Sequence, residues 1–184
     1  ERMASAGVTV PVVSKEGVGH HPHSLFNPVE IVRFFLKAYG LYINPCTRPV
    51  CGNEYRMAAG WTKGSEWHSV VQDIAETLQG RQIDWLWLGN SITQGLGGER
   101  KRVTNKPGKA SADQVMGAGR WETAGISGDR TEYLLWRVNT GAYDASNPKH
   151  VVVTIGVNNY FDADEPADVA EGIRAVAEAA KTHF

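Results

Sequence analysis

The apolar positions of the chain fall into two kinds of pattern. Trp85-Leu86-Trp87-Leu88 and His150 to Ile155 are short, nearly continuous apolar runs, the mark of strands buried on both faces. A strand of the same kind is expected at Glu122–Ile126. Elsewhere the apolar spacing changes to three and four residues, which is helical. Trp67, Val70, Val71, Ile74 and Leu78 share one face of a helix expected over Glu66–Leu78, with Ser65 as its cap and Gly80 as its stop. A second helix is expected from about Arg130 to Val138, closed by Asn139-Thr140-Gly141. A third, alanine-rich, runs from about Pro166 to Lys181 with Val169, Ile173, Val176 and Ala180 on one side. Residues 96–119 are polar and rich in Gly and Lys, and read as a long loop with at most a short helix. Strands alternating with helices predict an α/β fold, a parallel sheet with helices on both faces.

The first forty residues read as a separate strand–loop–helix unit. Val8 to Val13 is β-branched, and Gly17 to His23 is turn-rich. Asn27-Pro28 opens a helix with Ile31, Phe34, Phe35 and Ala38 on one face, and Gly40 ends it. Residues 41–64 carry Asn44-Pro45, Pro49, Gly52-Asn53, Gly60 and Gly64, the breaker density of a linker. Residues 65–184 then form the main domain.

Composition narrows the function. The 184 residues carry 19 Lys plus Arg against 20 Asp plus Glu, a net charge of −1. That balance gives no bulk attraction to nucleic acid or an anionic membrane. The basic cluster Arg100-Lys101-Arg102, with Lys106 and Lys109, has no interleaved aromatics and reads as a solvated loop. No run approaches the roughly 20 apolar residues of a membrane helix. The opening Glu1-Arg2-Met3-Ala4-Ser5 has no signal-peptide pattern, and upstream sequence is expected to be missing. Cys46 and Cys51 flank a Pro-containing segment. They are either a small disulfide loop, which would suit a secreted or periplasmic protein, or two free thiols.

Chemistry in an open parallel sheet sits at the carboxyl ends of the strands. All three ends here carry small or polar residues: Gly89-Asn90-Ser91, Gly125-Ile126-Ser127-Gly128-Asp129 and Gly156-Val157-Asn158-Asn159. A serine at a strand-to-helix turn presents its hydroxyl. A glycine lets a backbone N–H approach closely, and an asparagine adds a side-chain donor. Together they describe a nucleophile with an oxyanion hole. Each alone has a plainer reading: Ser91 as a helix cap, Gly128 as a tight turn, Asn158 as an Asx-turn former. Trp61, Trp67, Trp85 and Trp87 read as core and linker packing, with a sugar-stacking face as the rival. Gly95-Leu96-Gly97-Gly98 lacks the Gly-Lys-Ser/Thr of a Walker loop, and the glycines do not follow the dinucleotide order.

Gly89-Asn90-Ser91-Ile92-Thr93, Gly125 to Thr131 and Gly156-Val157-Asn158-Asn159 resemble the first three sequence blocks of the SGNH hydrolases, the GDSL-type lipase/esterase superfamily. The stretch from Gly125 through the last helix, including Leu135-Trp136-Arg137, is especially similar to its platelet-activating-factor acetylhydrolase branch. The likeness covers roughly residues 83–184. It implies a three-layer α/β/α, flavodoxin-like parallel sheet. It implies a serine esterase with Ser91 as nucleophile, and an oxyanion hole from the Ser91 and Gly128 amides and the Asn158 side chain. No metal and no organic cofactor are implied, and the substrate would be a small acyl ester, often an acetylated carbohydrate. Two departures stand out. Asn90 replaces the family's Asp before the serine. The fourth block, Asp-x-x-His, is absent before Phe184, and His183 lies in an expected helix. The chain is therefore expected to be an incomplete SGNH domain, nearly inactive alone. A non-catalytic carbohydrate-binding module is the alternative. Lys15 to Phe35 resembles the tail of an α/β-hydrolase, which would make His20 the base of a second site. An exposed loop, or a metal site of His20, His21 and His23, are the other readings of that stretch.

Overall fold

A computed structural model describes residues 29–52, 59–162 and 164–184. The chain divides into two units, Glu1–Ile43 and Asn44–Phe184. In the first, α1 (Val29–Ala38) carries Ile31, Phe34 and Phe35 exposed, with Phe34 and Phe35 in edge-to-face contact. The expected strand Val8–Val13 and the histidines at 20, 21 and 23 lie outside the described residues.

The second unit contains α2 (Trp67–Leu78), β1 (Trp85–Gly89), α3 (Ser91–Leu96), α4 (Lys109–Met116), β2 (Trp121–Gly125), α5 (Thr131–Asn139), β3 (His150–Thr154), α6 (Val157–Phe161) and α7 (Pro166–His183). The three strands form a parallel sheet in the order β2-β1-β3. β1 is central, so among the described residues β2 and β3 are the edge strands. The register sets Gly89 beside Gly125 on one side and Thr154 on the other, which levels the three carboxyl ends.

Side chains alternate across each strand. Leu86, Leu88 and Ala124 face a core built with Trp67, Val70, Ile74 and Leu78 of α2, Leu134, Leu135 and Val138 of α5, and Val176 and Ala180 of α7. Trp85, Trp87 and Trp121 point the other way. There α4 meets them: Trp121 Nε1 donates to Asp113 Oδ1 at 3.0 Å and Trp87 Nε1 lies 3.2 Å from Met116 Sδ. Trp67 and Trp121 are wholly packed, while Trp85 and Trp87 are half-buried. The expected three-layer α/β/α arrangement is present, with a three-stranded sheet.

The boundaries differ from expectation in small ways. Glu66, not Ser65, caps α2, in a reciprocal box with Ser69 whose hydroxyl accepts from the Glu66 amide at 2.8 Å. Ser65 instead pairs with Thr62. Within the stretch expected as linker, Pro45–Thr47 forms a 3-10 turn that packs on α5 and α7, with Cys46 buried.

Of the basic cluster expected as a solvated loop, Lys101 and Arg102 are exposed and Lys109 opens α4, but Arg100 departs from it. Arg100 is fully buried. Its Nε donates to Asp73 Oδ2 at 3.1 Å, and its Nη1 reaches Gly125 O at 2.8 Å and Thr123 O at 3.5 Å. Arg81 Nη2 reaches Trp121 O at 3.4 Å. These arginines cover carbonyls of edge strand β2, a connection across some thirty residues that local composition does not reveal. Burial pulls the Arg100 pKa down, and the adjoining Asp73 carboxylate opposes that pull.

Candidate active site

Ser91 follows β1 directly as the first residue of α3 and is exposed. Asn90 is the cap: its Oδ1 accepts from the Ile92 amide at 3.0 Å. The residue standing where the resembling family has Asp thus serves as helix cap, a task an amide oxygen performs as well as a carboxylate. Ser91 is thereby freed from the capping role its position also suits. As the first helical residue it has no acceptor for its N–H within α3.

Gly125 ends β2 hard against the start of α3. A Cβ there would fall on the Gln94 amide and 2.7 Å from Asn90 O, so only glycine fits. The chain then turns through Gly128, whose φ of +77° is a conformation that favours glycine. The Gly128 N–H has no acceptor among the described residues, whereas its neighbours are tied on both sides. Ser127 N donates to Gln94 Oε1 at 3.0 Å, and Asp129 N to Ile126 O at 3.1 Å. Gln94 also accepts from Trp61 Nε1 at 2.8 Å and donates to Ala59 O at 2.7 Å.

Asn158 lies in α6, after β3, and is half-buried. Its Nδ2 donates to the Asp129 carbonyl at 2.8 Å. One of its two N–H groups is thus committed to the Gly128–Asp129 turn, and the amide carries a second. All three expected site residues therefore sit on one rim. Ser91 is two residues past β1, Gly128 three past β2 and Asn158 four past β3, with ties from Gln94 to Ser127 and from Asn158 to Asp129.

Beneath the rim lies a charged cluster that sequence reasoning did not single out. Asp129 is buried, with Trp67 Nε1 on Oδ1 at 2.7 Å and Arg137 Nε on Oδ2 at 2.9 Å. Arg137 is also fully buried. It donates to Ala124 O at 2.9 Å, Tyr143 Oη at 3.0 Å and Gly89 O at 3.3 Å. Burial disfavours the arginine's charge, but Tyr143 and Asp129 more than offset that and hold its pKa above the ordinary value. The signal for Arg137 was present in the sequence: it lies between Leu134 and Val138 on the face α5 buries. Gln94 gave no such signal.

A second buried polar knot holds α6. Asn159 Oδ1 accepts from Thr131 N at 2.9 Å, and its Nδ2 donates to Glu132 Oε2 at 3.0 Å and Asp164 Oδ2 at 3.1 Å. Cys46 lies against the same amide at 3.5 Å. Cys46 and Cys51 are both free thiols, so no bridge closes the segment between them. Burial, with Asp164 and Glu132 nearby, pushes the Cys46 thiol up to about 12, so it is no nucleophile at neutral pH.

No candidate base meets Ser91 among the described strand and α7 histidines. His150 opens β3 and so lies at the opposite end of the sheet. His183 closes α7 and pairs with Asp144 at 2.9 Å, in the turn that precedes β3. Among the described residues no group of three His, Cys, Asp or Glu is placed to hold a metal ion, and no helix is long and apolar enough to cross a membrane.

Residues 87–184 match the family model described as the GDSL-like lipase/acylhydrolase family. The chain is 48% identical over 109 residues, 59% of its length, to the platelet-activating factor acetylhydrolase IB subunit beta homolog of Drosophila melanogaster. It is 40% identical over 58 residues, 32% of its length, to the human alpha2 subunit of that name, and 41% identical over 54 residues, 29% of its length, to the rat alpha1 subunit. The matches cover 43% of the fly protein, 24% of the human and 22% of the rat one, so the chain spans less than half the length of these relatives.

Proposed function

The chain belongs to the GDSL-like lipase/acylhydrolase family, and on that premise we propose that it is a serine esterase acting through Ser91. The Ser91 hydroxyl attacks an ester carbonyl while a base takes its proton. The developing oxyanion accepts hydrogen bonds from the Ser91 N–H, the Gly128 N–H and the Asn158 amide. The alcohol leaves, and water then releases the acid from the acyl-serine. The base in this reading is neither His150 nor His183, which serve the far end of the sheet. No step calls for a metal or an organic cofactor.

The observation that carries the reading is the bond from Asn158 Nδ2 to the Asp129 carbonyl at 2.8 Å, with Ser91 exposed at the level rim beside it. It ties the third strand end to the second across the mouth of the first. The acyl group is proposed to be acetyl, which the names of the matched relatives support. The alcohol proposed from the sequence is a carbohydrate hydroxyl, the ester substrate then being an acetylated sugar.

The test is hydrolysis of p-nitrophenyl acetate by the full-length product of the gene, with and without Ser91→Ala. A hydroxyl nucleophile cannot be replaced by methyl, so kcat should fall by roughly a thousandfold or more. Unchanged turnover in Ser91→Ala would remove Ser91 from the mechanism. Binding of acetylated sugar with no Ser91-dependent turnover would mark a binding module instead.

A further inference from the structure

Asp129 touches the buried charge cluster with its side chain and the rim with its backbone. Its carboxylate is held from below, Oδ1 by Trp67 Nε1 at 2.7 Å and Oδ2 by Arg137 Nε at 2.9 Å and Nη2 at 2.8 Å. Its carbonyl holds Asn158 Nδ2 at 2.8 Å above. Its own amide is fixed to Ile126 O at 3.1 Å, and the residue before it is Gly128, in a conformation without intrinsic side-chain restraint. Arg137 in turn reaches the carbonyls of Ala124 and Gly89, near the ends of β2 and β1. The chain thus runs from a wholly buried ion pair through one residue's backbone to two of the three proposed oxyanion donors.

We propose that Asp129 is the positioning residue of the oxyanion hole, anchoring the C-terminal side of the turn that carries the Gly128 N–H, and setting the Asn158 amide through its carbonyl. This rests on the esterase reading of the same rim. Its physical basis is that preorganised donors stabilise developing charge only when they do not have to reorient as it forms. A glycine turn has no side chain to hold it, and a half-buried asparagine has free rotamers. Asp129, locked at both carboxylate oxygens, removes both freedoms. A carboxylate suits the place because the Trp67 indole and the Arg137 guanidinium, which meet its two oxygens, are both donors. A carboxamide would turn its NH₂ toward either the Trp67 indole or the Arg137 guanidinium.

The experiment is a double-mutant cycle between Asp129→Asn and Asn158→Ala on p-nitrophenyl acetate, with Ser91→Ala as the control. Asp129→Asn alone should lower kcat by about 10- to 100-fold with KM nearly unchanged, since the donors act in the transition state. With Asn158 already truncated, the same change should cost at least about fivefold less, leaving only the share that passes through Gly128. Equal factors in the two backgrounds would overturn the proposal, because a general loss of structure does not depend on whether Asn158 has an amide. Should Asp129→Asn not fold, Trp67→Phe removes a single bond to Oδ1. A smaller drop in kcat with the same shortfall in the Asn158→Ala background supports the proposal, and strict additivity refutes it. Activity that survives Ser91→Ala would remove the esterase reading and this inference together. Loss in Ser91→Ala with an additive cycle removes the inference alone.

Discussion

The two edge strands of the sheet invert the relation between sequence and burial. β3 reads His-Val-Val-Val-Thr and is the more apolar, yet its first residue is exposed and the other four are only half-buried. β2 reads Trp-Glu-Thr-Ala-Gly and contains a carboxylate, yet all five residues are buried. The difference lies in what finishes each edge. Along β2 the segment after α3 folds back so that Arg100 takes up two strand carbonyls, and Arg81, between α2 and β1, takes up a third. Glu122, fully buried, is met by Arg81, the Glu99 amide at 2.9 Å and the Thr123 amide at 2.9 Å. Gly98 makes room for it, since a Cβ there would overlap the carboxylate. Along β3 no further strand pairs among the described residues. Burial is therefore decided by neighbours that arrive from elsewhere in the chain, and a charged residue is buried where its partners are supplied.

The largest test strips the finished edge. Arg100→Ala leaves Asp73 buried without its cation and the Gly125 carbonyl without its donor. It should cost about 3–5 kcal/mol in urea unfolding; a loss under 1 kcal/mol would mean that the arginine edge is ornamental. Next in size is Asn159→Asp, at the knot that anchors the β3 side. The new carboxylate would face Glu132 and Asp164, so its folded pKa is raised and its charged form disfavoured. The penalty, roughly 2–4 kcal/mol at pH 7, is present above the folded pKa. It shrinks as pH falls toward the unfolded carboxylate value, so the variant should gain on wild type between pH 7 and pH 5. A pH-independent loss would point to packing instead. Smallest is Val152→Ala, which should cost roughly 0.5–1 kcal/mol, against about 2–5 for Leu88→Ala in the core behind it. Equal losses would show that β3 is as well packed as β1.

The parts of this arrangement that are local in sequence were legible there. Trp85–Leu88, the three strand ends and the faces of α2, α5 and α7 follow from period and breakers, and the resemblance of the strand-end blocks to the SGNH hydrolases singled out Ser91, Gly128 and Asn158 among them. What escaped is long-range and polar. Arg100 reaches Asp73 across 27 residues and Trp67 reaches Asp129 across 62, and neither pair leaves a periodic trace. Arg137 escaped too, although its place between Leu134 and Val138 on the buried face of α5 did leave a periodic trace. The capping of α2 by Glu66 was missed because Ser65, one residue earlier, is the commoner cap by type.

The bare end of β2 fixes a dimension. With no side chain on Gly125, the backbone of α3 at Asn90 and Gln94 rests directly on the backbone of the neighbouring strand. The offset between the nucleophile's helix and the turn that bears Gly128 is then the thickness of two touching main chains, the shortest such a contact can be. Any larger residue at 125 would act as a wedge, lifting Ser91 away from the second strand end while leaving every side chain of the site intact. Adaptation of such a rim to new substrates is thereby directed away from this seam and toward positions free to vary, such as exposed Ile92 on the open side of α3.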